Sequence, residues 1–280
     1  MRGAFRRWRA ALAGLLVIAL VLGVYPILVE PNQLVTRRDD LVISEWRGPP
    51  LRIAMMSDLH IGSLFMNVAK AREVALRMQA EQPDLVVLLG DYVRHGERPA
   101  DLQGWRRAAS LFGDLRPKYG VFAVMGNHDC WANVDAIRQA LVDAHVTVLE
   151  NKAVRVSNGP EPFWIWGLAD LWEQQVDYTG PLAAIPKDES VIALTHNPDS
   201  FPAIDPRVPL TLAGHTHGGQ IALPIVGRPH VPSAYGQRYA VGHVTENGHH
   251  LFVTSGVGTS ILPIRLGVPP EIAIVTLRAK

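Results

Sequence analysis

The sequence predicts an α/β fold with much parallel strand pairing, set behind one N-terminal helix of membrane length. Three observations predict it. From residue 51 onward, short apolar runs alternate with helix-length amphipathic segments. Several of those runs stop at a polar residue able to bind a metal, as at Met56-Ser57-Asp58 and Leu89-Gly90-Asp91. Ahead of them, the uncharged run 10–29 follows Arg2, Arg6, Arg7 and Arg9.

The N-terminal elements come first. At about 1.5 Å rise per residue, 20 residues span about 30 Å, the thickness of a bilayer core. The four preceding arginines outweigh Arg37 and Arg38, which Asp39 and Asp40 follow. The positive-inside rule then gives residues 1–9 as a basic cytoplasmic head, 10–29 as a single-pass anchor in the cell membrane, and the body as extracytoplasmic. A cleaved signal peptide and a buried helix are the rival readings. No Ala-x-Ala follows the run, which ends Tyr25-Pro26-Ile27-Leu28-Val29-Glu30, so the anchor is preferred. Residues 30–50 read as a linker leading into a first strand, broken at Gly48-Pro49-Pro50.

The body, 51–280, reads as one domain. Leu51 to Met56 is a buried strand; Asn67 to Gln82 is a helix with Asn67 as its cap. Asp84 to Leu89 is a second strand, 101–115 a helix, Val121 to Met125 a third strand, and Val134 to Ala144 a helix. Strands then dominate, at 154–156, 163–166, 191–194, 210–212, 251–254 and 272–277. Their spacing is too irregular for a simple Rossmann sheet and allows two sheets.

Composition excludes several classes. The net charge of +1 divides into +3 for residues 1–50 and −2 for the remainder, so no nucleic-acid partner is expected. One Cys allows no internal disulfide. Nothing points to a protein partner.

The chemistry lies at five strand ends. They read Ser57-Asp58-Leu59-His60, Gly90-Asp91-Tyr92, Gly126-Asn127-His128-Asp129, Thr195-His196-Asn197 and Gly214-His215-Thr216-His217. In α/β sheets ligands gather beyond the carboxyl ends of strands. Asp58 and His60, two apart, would share a face of a continued strand, as would His215 and His217. Asp91 can bridge two cations with its two oxygens. Asp58, His60, Asp91, Asn127, His196, His215 and His217 thus make a mixed oxygen and nitrogen set without sulfur, suited to two divalent ions such as Mn, Fe or Zn.

These five blocks, in this order across residues 53–217, resemble the calcineurin-like metallophosphoesterases. Gly214-His215-Thr216-His217-Gly218-Gly219-Gln220 and the stretch Thr254 to Arg265 are most similar to the bacterial membrane-associated branch. The resemblance implies a four-layer αββα sandwich of two mixed sheets flanked by helices. It implies one metal held by Asp58, His60, His217 and Asp91, and a second by Asp91, Asn127, His196 and His215. It implies His128 facing the substrate and Asp129 orienting the His128 ring. The implied activity is hydrolysis of a phosphate ester, diester or monoester, by a hydroxide bridging the metals. A lipid-linked pyrophosphate hydrolase like UDP-2,3-diacylglucosamine pyrophosphatase is the alternative, and a non-catalytic binding module on the same fold is another. One departure is Arg94, where many members carry an Asp; it is a candidate phosphate contact.

His95, His145, His230, His243, His249 and His250 fall outside the blocks and are expected at the surface or in loops. His230 sits in the Pro-rich stretch Pro224 to Pro232, which can overhang the cleft. Cys130 is expected to be a structural thiol. Trp131 is expected either at the cleft mouth or in the core. Leu64-Phe65-Met66 either faces an acyl chain or, preferably, edges the core.

Overall fold

The central strands of the body bury both faces, and the two faces belong to different cores. The computed structural model describes residues 2–94, 96, 98–157, 159 and 161–280. Among these, two six-stranded sheets form. The first runs in the order β1 (Val35–Val42), β12 (Glu271–Arg278), β2 (Leu51–Met56), β3 (Leu85–Leu88), β4 (Val121–Ala123) and β5 (Thr147–Val148). Only the β12–β2 pair is antiparallel. The second runs β10 (Gly242–Glu246), β11 (His249–Val253), β9 (Leu210–Ala213), β8 (Ser190–Leu194), β7 (Phe163–Gly167) and β6 (Lys152–Val156). It is parallel in the middle and antiparallel at both edges.

The period of two along each strand sorts side chains between layers. Leu51, Ile53 and Met55 of β2 meet Ile165, Ile192, Leu212 and Phe252 between the sheets. Ala54 and Met56 face the opposite way, into a core closed by helices. Burial on both faces is what makes these strands read as unbroken apolar runs. The helices are α2 (Val68–Ala80), α3 (Pro99–Gly113) and α5 (Val134–Asp143), which contribute Val74 and Met78, Trp105 and Phe112, and Ile137 and Leu141. Over the second sheet the outer layer is thin. The four-residue α6 (Gly180–Ala183) gives Leu182, and loop residues Ile185, Ile204 and Val208 complete that core. The four layers expected from the resemblance are present.

Asn67 caps α2 as expected, its Oδ1 accepting from Lys70 N at 3.1 Å. Strands β5 and β10 were not expected, and β1 falls within residues 30–50, expected as linker and first strand. β1 and β10 are edge strands with polar sequences, and β5 has two residues, so none carries a long apolar run. β1 takes residues 35–42 of the anticipated linker into the first sheet. Trp46 from the same stretch is buried against Phe163 at 5.6 Å.

Helix α1 (Arg2–Val24) continues through turns at Tyr25–Val29 and Glu30–Asn32. Phe5–Asn32 is long and apolar enough to cross a membrane. Leu12, Leu15, Leu16 and Leu20 are exposed, which excludes the buried-helix reading.

Candidate metal centre

The seven candidate ligands converge where β2, β3, β4, β8 and β9 end, and all are buried. They do not arrive there on continued strands. β2 ends at Met56, and Asp58 (φ 57°) and His60 (φ 50°) adopt left-handed backbone, as do Asp91 (56°), His215 (69°) and His217 (51°). The shared-face argument for Asp58/His60 and His215/His217 is therefore corrected: loop geometry, not strand pleat, aims these pairs. The left-handed region costs about 1–2 kcal/mol per ordinary residue, and Asp and His tolerate it better than most. Loop-to-loop bonds hold the conformations, with Asp58 N donating to Gly90 O, His60 N to Asp91 O and Gly214 N to His196 O, each at 3.0 Å. Gly126 allows close approach, since a Cβ there would lie 2.3 Å from Asp91 Oδ1.

Two groups of donor atoms result. Asp58, His60, Asp91 and His217 form one, and Asp91, His196 and His215 the other, each within 4.8 Å among its members. Asn127 joins the second through Oδ1, 3.2 Å from His196 Nε2. Asp91 belongs to both, but not by one oxygen each. Its Oδ1 accepts from His128 N at 2.9 Å. Its Oδ2 alone faces both groups, 3.6 Å from His60 Nε2 and 3.3 Å from His196 Nε2. That corrects the two-oxygen bridge anticipated from the sequence.

The donor set fits divalent cations. Lone-pair atoms face one another: His60 Nε2 and His217 Nε2 are 3.1 Å apart, and His215 Nδ1 and His196 Nε2 are 3.2 Å apart. Asp58 Oδ1, His215 Nε2 and His217 Nδ1 are buried without a hydrogen-bond partner. Such an array is repulsive unless positive charge lies among its members. His196 Nδ1 lies 2.6 Å from Leu89 O, which fixes its proton there and leaves Nε2 as a ligand atom. Burial pushes the Asp58 carboxyl up to about 7, with the Asp91 charge adding to it. Burial lowers His60 and His215 to about 3 and favours their neutral, ligating form. Burial also opposes charge on His196, but Asp91 more than offsets it and raises that imidazole to about 10.

His128 and Asp129 lie in the short helix α4 (Asn127–Trp131), which opens at the third block. His128 is buried, with its Nε2 3.2 Å from Ser260 Oγ and its ring 4.7 Å from that of His60. Asp129 differs from the expectation. Its Oδ2 accepts from Asp91 N and Gly126 N at 2.9 Å, and its Oδ1 from Tyr92 N at 2.8 Å. Both oxygens are thus committed to the backbone of the ligand loops, while His128 Nε2 lies against Ser260 Oγ.

Above the donors lies a cavity of about 870 Å³. Arg94, His128, Trp131, Leu64 and His230 line it, so Arg94, the Pro-rich stretch and Trp131 all reach the cleft. Leu64 is exposed whereas Met66 is buried, which divides Leu64-Phe65-Met66 between the two readings given for it. Cys130 is half-buried, and burial pushes its thiol up to about 12, an unactivated state. His249 is a correction: it is buried, its ring 4.8 Å from Phe201. His145 is exposed in a turn, His243 and His250 lie on strands, and His95 lies outside the described residues.

Ser260, Arg265, Trp172 and Gln220 were given no role from the sequence. Trp172 sets its ring edge-on to His215 at 4.4 Å and walls the cavity. Arg265 is fully buried, its guanidinium donating to the carbonyls of Ser255, Gly258 and Val268. Both Ser260 and Arg265 lie in the stretch 254–265, noted for its resemblance and not for its chemistry.

Residues 51–219 match the family model described as calcineurin-like phosphoesterase. The chain is 32% identical over 232 residues to "Uncharacterized metallophosphoesterase YkuE" of Bacillus subtilis (strain 168), covering 81% of this chain and 79% of that one. It is 31% identical over 252 residues to "Phosphodiesterase YaeI" of Escherichia coli (strain K12), covering 89% and 90%. It is 28% identical over 298 residues to "Transmembrane protein with metallophosphoesterase domain" of Danio rerio, covering 99% and 64%.

Proposed function

The chain belongs to the calcineurin-like phosphoesterase family, hydrolases of phosphoester bonds, and from that premise we propose a membrane-anchored phosphodiesterase or phosphomonoesterase dependent on two divalent ions. The observation that carries this reading is Asp91 Oδ2 facing two buried donor groups beneath one cavity. Asp58, His60, His217 and Asp91 would hold one ion; Asp91, Asn127, His196 and His215 would hold the other. Mn, Fe or Zn suits such a set. When bound, such ions would neutralise phosphoryl oxygens and acidify a coordinated water.

The side chains do the remainder. His128 faces the cavity and offers its Nε2 proton first to a phosphoryl oxygen and then to the leaving oxygen. Ser260 Oγ holds that nitrogen toward the cleft. Asp129 acts on the loops, fixing the backbone of Asp91, Tyr92 and Gly126. Trp131 and Trp172 narrow the mouth, and Arg94 can pair with a substrate phosphate.

The anchor is residues 10–29, carried by α1 and the turn that follows it, with the N-terminus cytoplasmic and the catalytic body, 51–280, extracytoplasmic. The basic flank of Arg2, Arg6, Arg7 and Arg9 supports that orientation, and the transmembrane designation of the Danio rerio relative supports membrane attachment.

The test is metal analysis of the purified chain, with Mn-dependent hydrolysis of bis-p-nitrophenyl phosphate, p-nitrophenyl phosphate and a lipid pyrophosphate. Two metals per chain and turnover of one ester class are expected. A well-folded, metal-free, inactive protein would make it a binding module. A reporter enzyme fused to the C-terminus checks the orientation.

A further inference from the structure

The cleft has apolar lips that nothing in the described chain covers. Ile225 and Ile261 are 107% and 94% exposed, and both adopt left-handed backbone, φ 70° and 61°. A β-branched residue in that region is a steric outlier. Neither side chain is buried to compensate. Val226 and Leu262 beside them are exposed as well. Two loop tips therefore each hold out a pair of large aliphatic side chains against both sterics and water.

The two tips form one surface, and that surface is tied to the end of α1. Leu223 and Gly227 close the first tip by reciprocal bonds of 2.8 and 2.9 Å. Ala222 N donates to Leu266 O at 2.8 Å, Leu266 N to Gln220 O at 2.9 Å, and Gln220 Nε2 to Leu262 O at 3.2 Å. The second loop reaches the helix exit, where Arg265 N donates to Pro26 O at 2.9 Å and Val268 N to Glu30 Oε1 at 2.7 Å. Leu28 and Val29, at that exit, are exposed too. Exposed apolar side chains thus lie at the helix end and at the tips of two loops that are hydrogen-bonded to each other. Ile261 and Leu262 also line the cavity, with Leu64, so the apolar surface continues into the cleft.

Resting on the reading of α1 as an anchor, we propose that Ile225, Val226, Ile261 and Leu262 enter the lipid layer that α1 spans. They seat the mouth of the cleft against the headgroups, so the phosphoester it takes is carried on a membrane lipid. Aliphatic tips beside a membrane helix match a lipid surface in the way that scattered polar loops do not. The left-handed backbone is held so that the side chains point away from the body.

The test uses the full chain in phosphatidylethanolamine/phosphatidylglycerol nanodiscs. In a Cys130→Ser background, Ile225→Cys carries an environment-sensitive fluorophore. Quenching by brominated acyl chains and protection from iodide are expected. Iodide quenching without bromine quenching overturns the proposal. Separately, Ile225→Ser with Val226→Ser should leave hydrolysis of bis-p-nitrophenyl phosphate unchanged. It should lower hydrolysis of disc-embedded hexadecyl p-nitrophenyl phosphate about tenfold. An unchanged rate on the lipid ester also overturns it. If wild-type protein hydrolyses neither ester, the hydrolase reading fails while the quenching arm still decides the docking. A chain that does not remain with the discs removes the anchor and this proposal together.

Discussion

Replacing Asp129 with Asn separates two accounts of that residue. Its carboxylate accepts three short bonds, from Asp91 N and Gly126 N at Oδ2 and from Tyr92 N at Oδ1. An amide has one acceptor oxygen, so the best orientation keeps the first two bonds and turns an NH₂ group toward Tyr92 N. One charge-assisted bond is lost, worth about 1.5–3 kcal/mol, and a buried donor is left facing a donor. Removing the charge returns part of this, because burial and the Asp91 charge push the Asp129 carboxyl up to about 8. A net loss of about 2–3 kcal/mol in the metal-loaded form remains. If it falls on the loop that positions Asp91, metal binds about 30–150-fold more weakly, at 1.4 kcal/mol per decade. Calorimetric titration of Mn into chelator-treated Asp129→Asn measures this, with kcat at saturating metal as the companion reading. Metal affinity within about threefold of wild type, together with a large fall in kcat, would refute the reasoning and return Asp129 to orienting His128.

His128→Ala should keep its metals and lose about 10²–10⁴ in turnover; loss of metal on elemental analysis would remove His128 from the proton-donor role. Gly126→Ala drives a Cβ to within 2.3 Å of Asp91 Oδ1 and 2.6 Å of Asp91 N, so metal content and activity should both fall about tenfold or more; full occupancy by mass spectrometry would show that the loops yield. Metal binding should release protons, because burial holds Asp58 up near 7 and Asp91 holds His196 near 10 in the metal-free site. Equal binding heats in buffers of different ionisation enthalpy would contradict that. Above about pH 7.5, where His60 and His215 are neutral when folded and largely neutral when unfolded, the folded metal-free protein binds more protons than the unfolded chain, through His196. Its stability should therefore fall as pH rises toward 10. Thermal melts of chelated protein between pH 7.5 and 9.5 check this, and a rising midpoint would reverse the sign.

The sequence discloses the central strands and, β6 apart, conceals the edges. β2, β3, β4, β8 and β9 are buried on both faces, so burial writes a continuous apolar run into each. β1, with Thr36, Arg37, Arg38, Asp39 and Asp40, is an edge strand whose pairing with β12 depends on backbone bonds, which leave no mark in residue type. The candidate ligands were legible for a similar reason: buried Asp, His and Asn at strand ends have few structural uses. How they are aimed was not legible, since nothing in Asp58-Leu59-His60 announces two left-handed residues. The role that the resemblance implies for Asp129 differs from what is found, because both of its oxygens accept from backbone N–H groups of the ligand loops and not from the His128 ring. Ser260 and Arg265 were hidden among ordinary loop residues, their partners being distant in sequence.

Five of the candidate ligands occupy left-handed backbone, and that narrows the alphabet available to the site. Asp, Asn, His and Gly enter this region at tolerable energy. Of these, Asp, Asn and His are also the short side chains that offer a metal oxygen or nitrogen. Positions 58, 60, 91, 215 and 217 therefore filter residue type twice, once by coordination chemistry and once by backbone shape. A designer seeking a thiolate site for a softer metal would meet the second filter before the first. Cys at these positions would strain the loop before any ion arrived, so retuning this centre calls for rebuilding the turns and not only exchanging side chains.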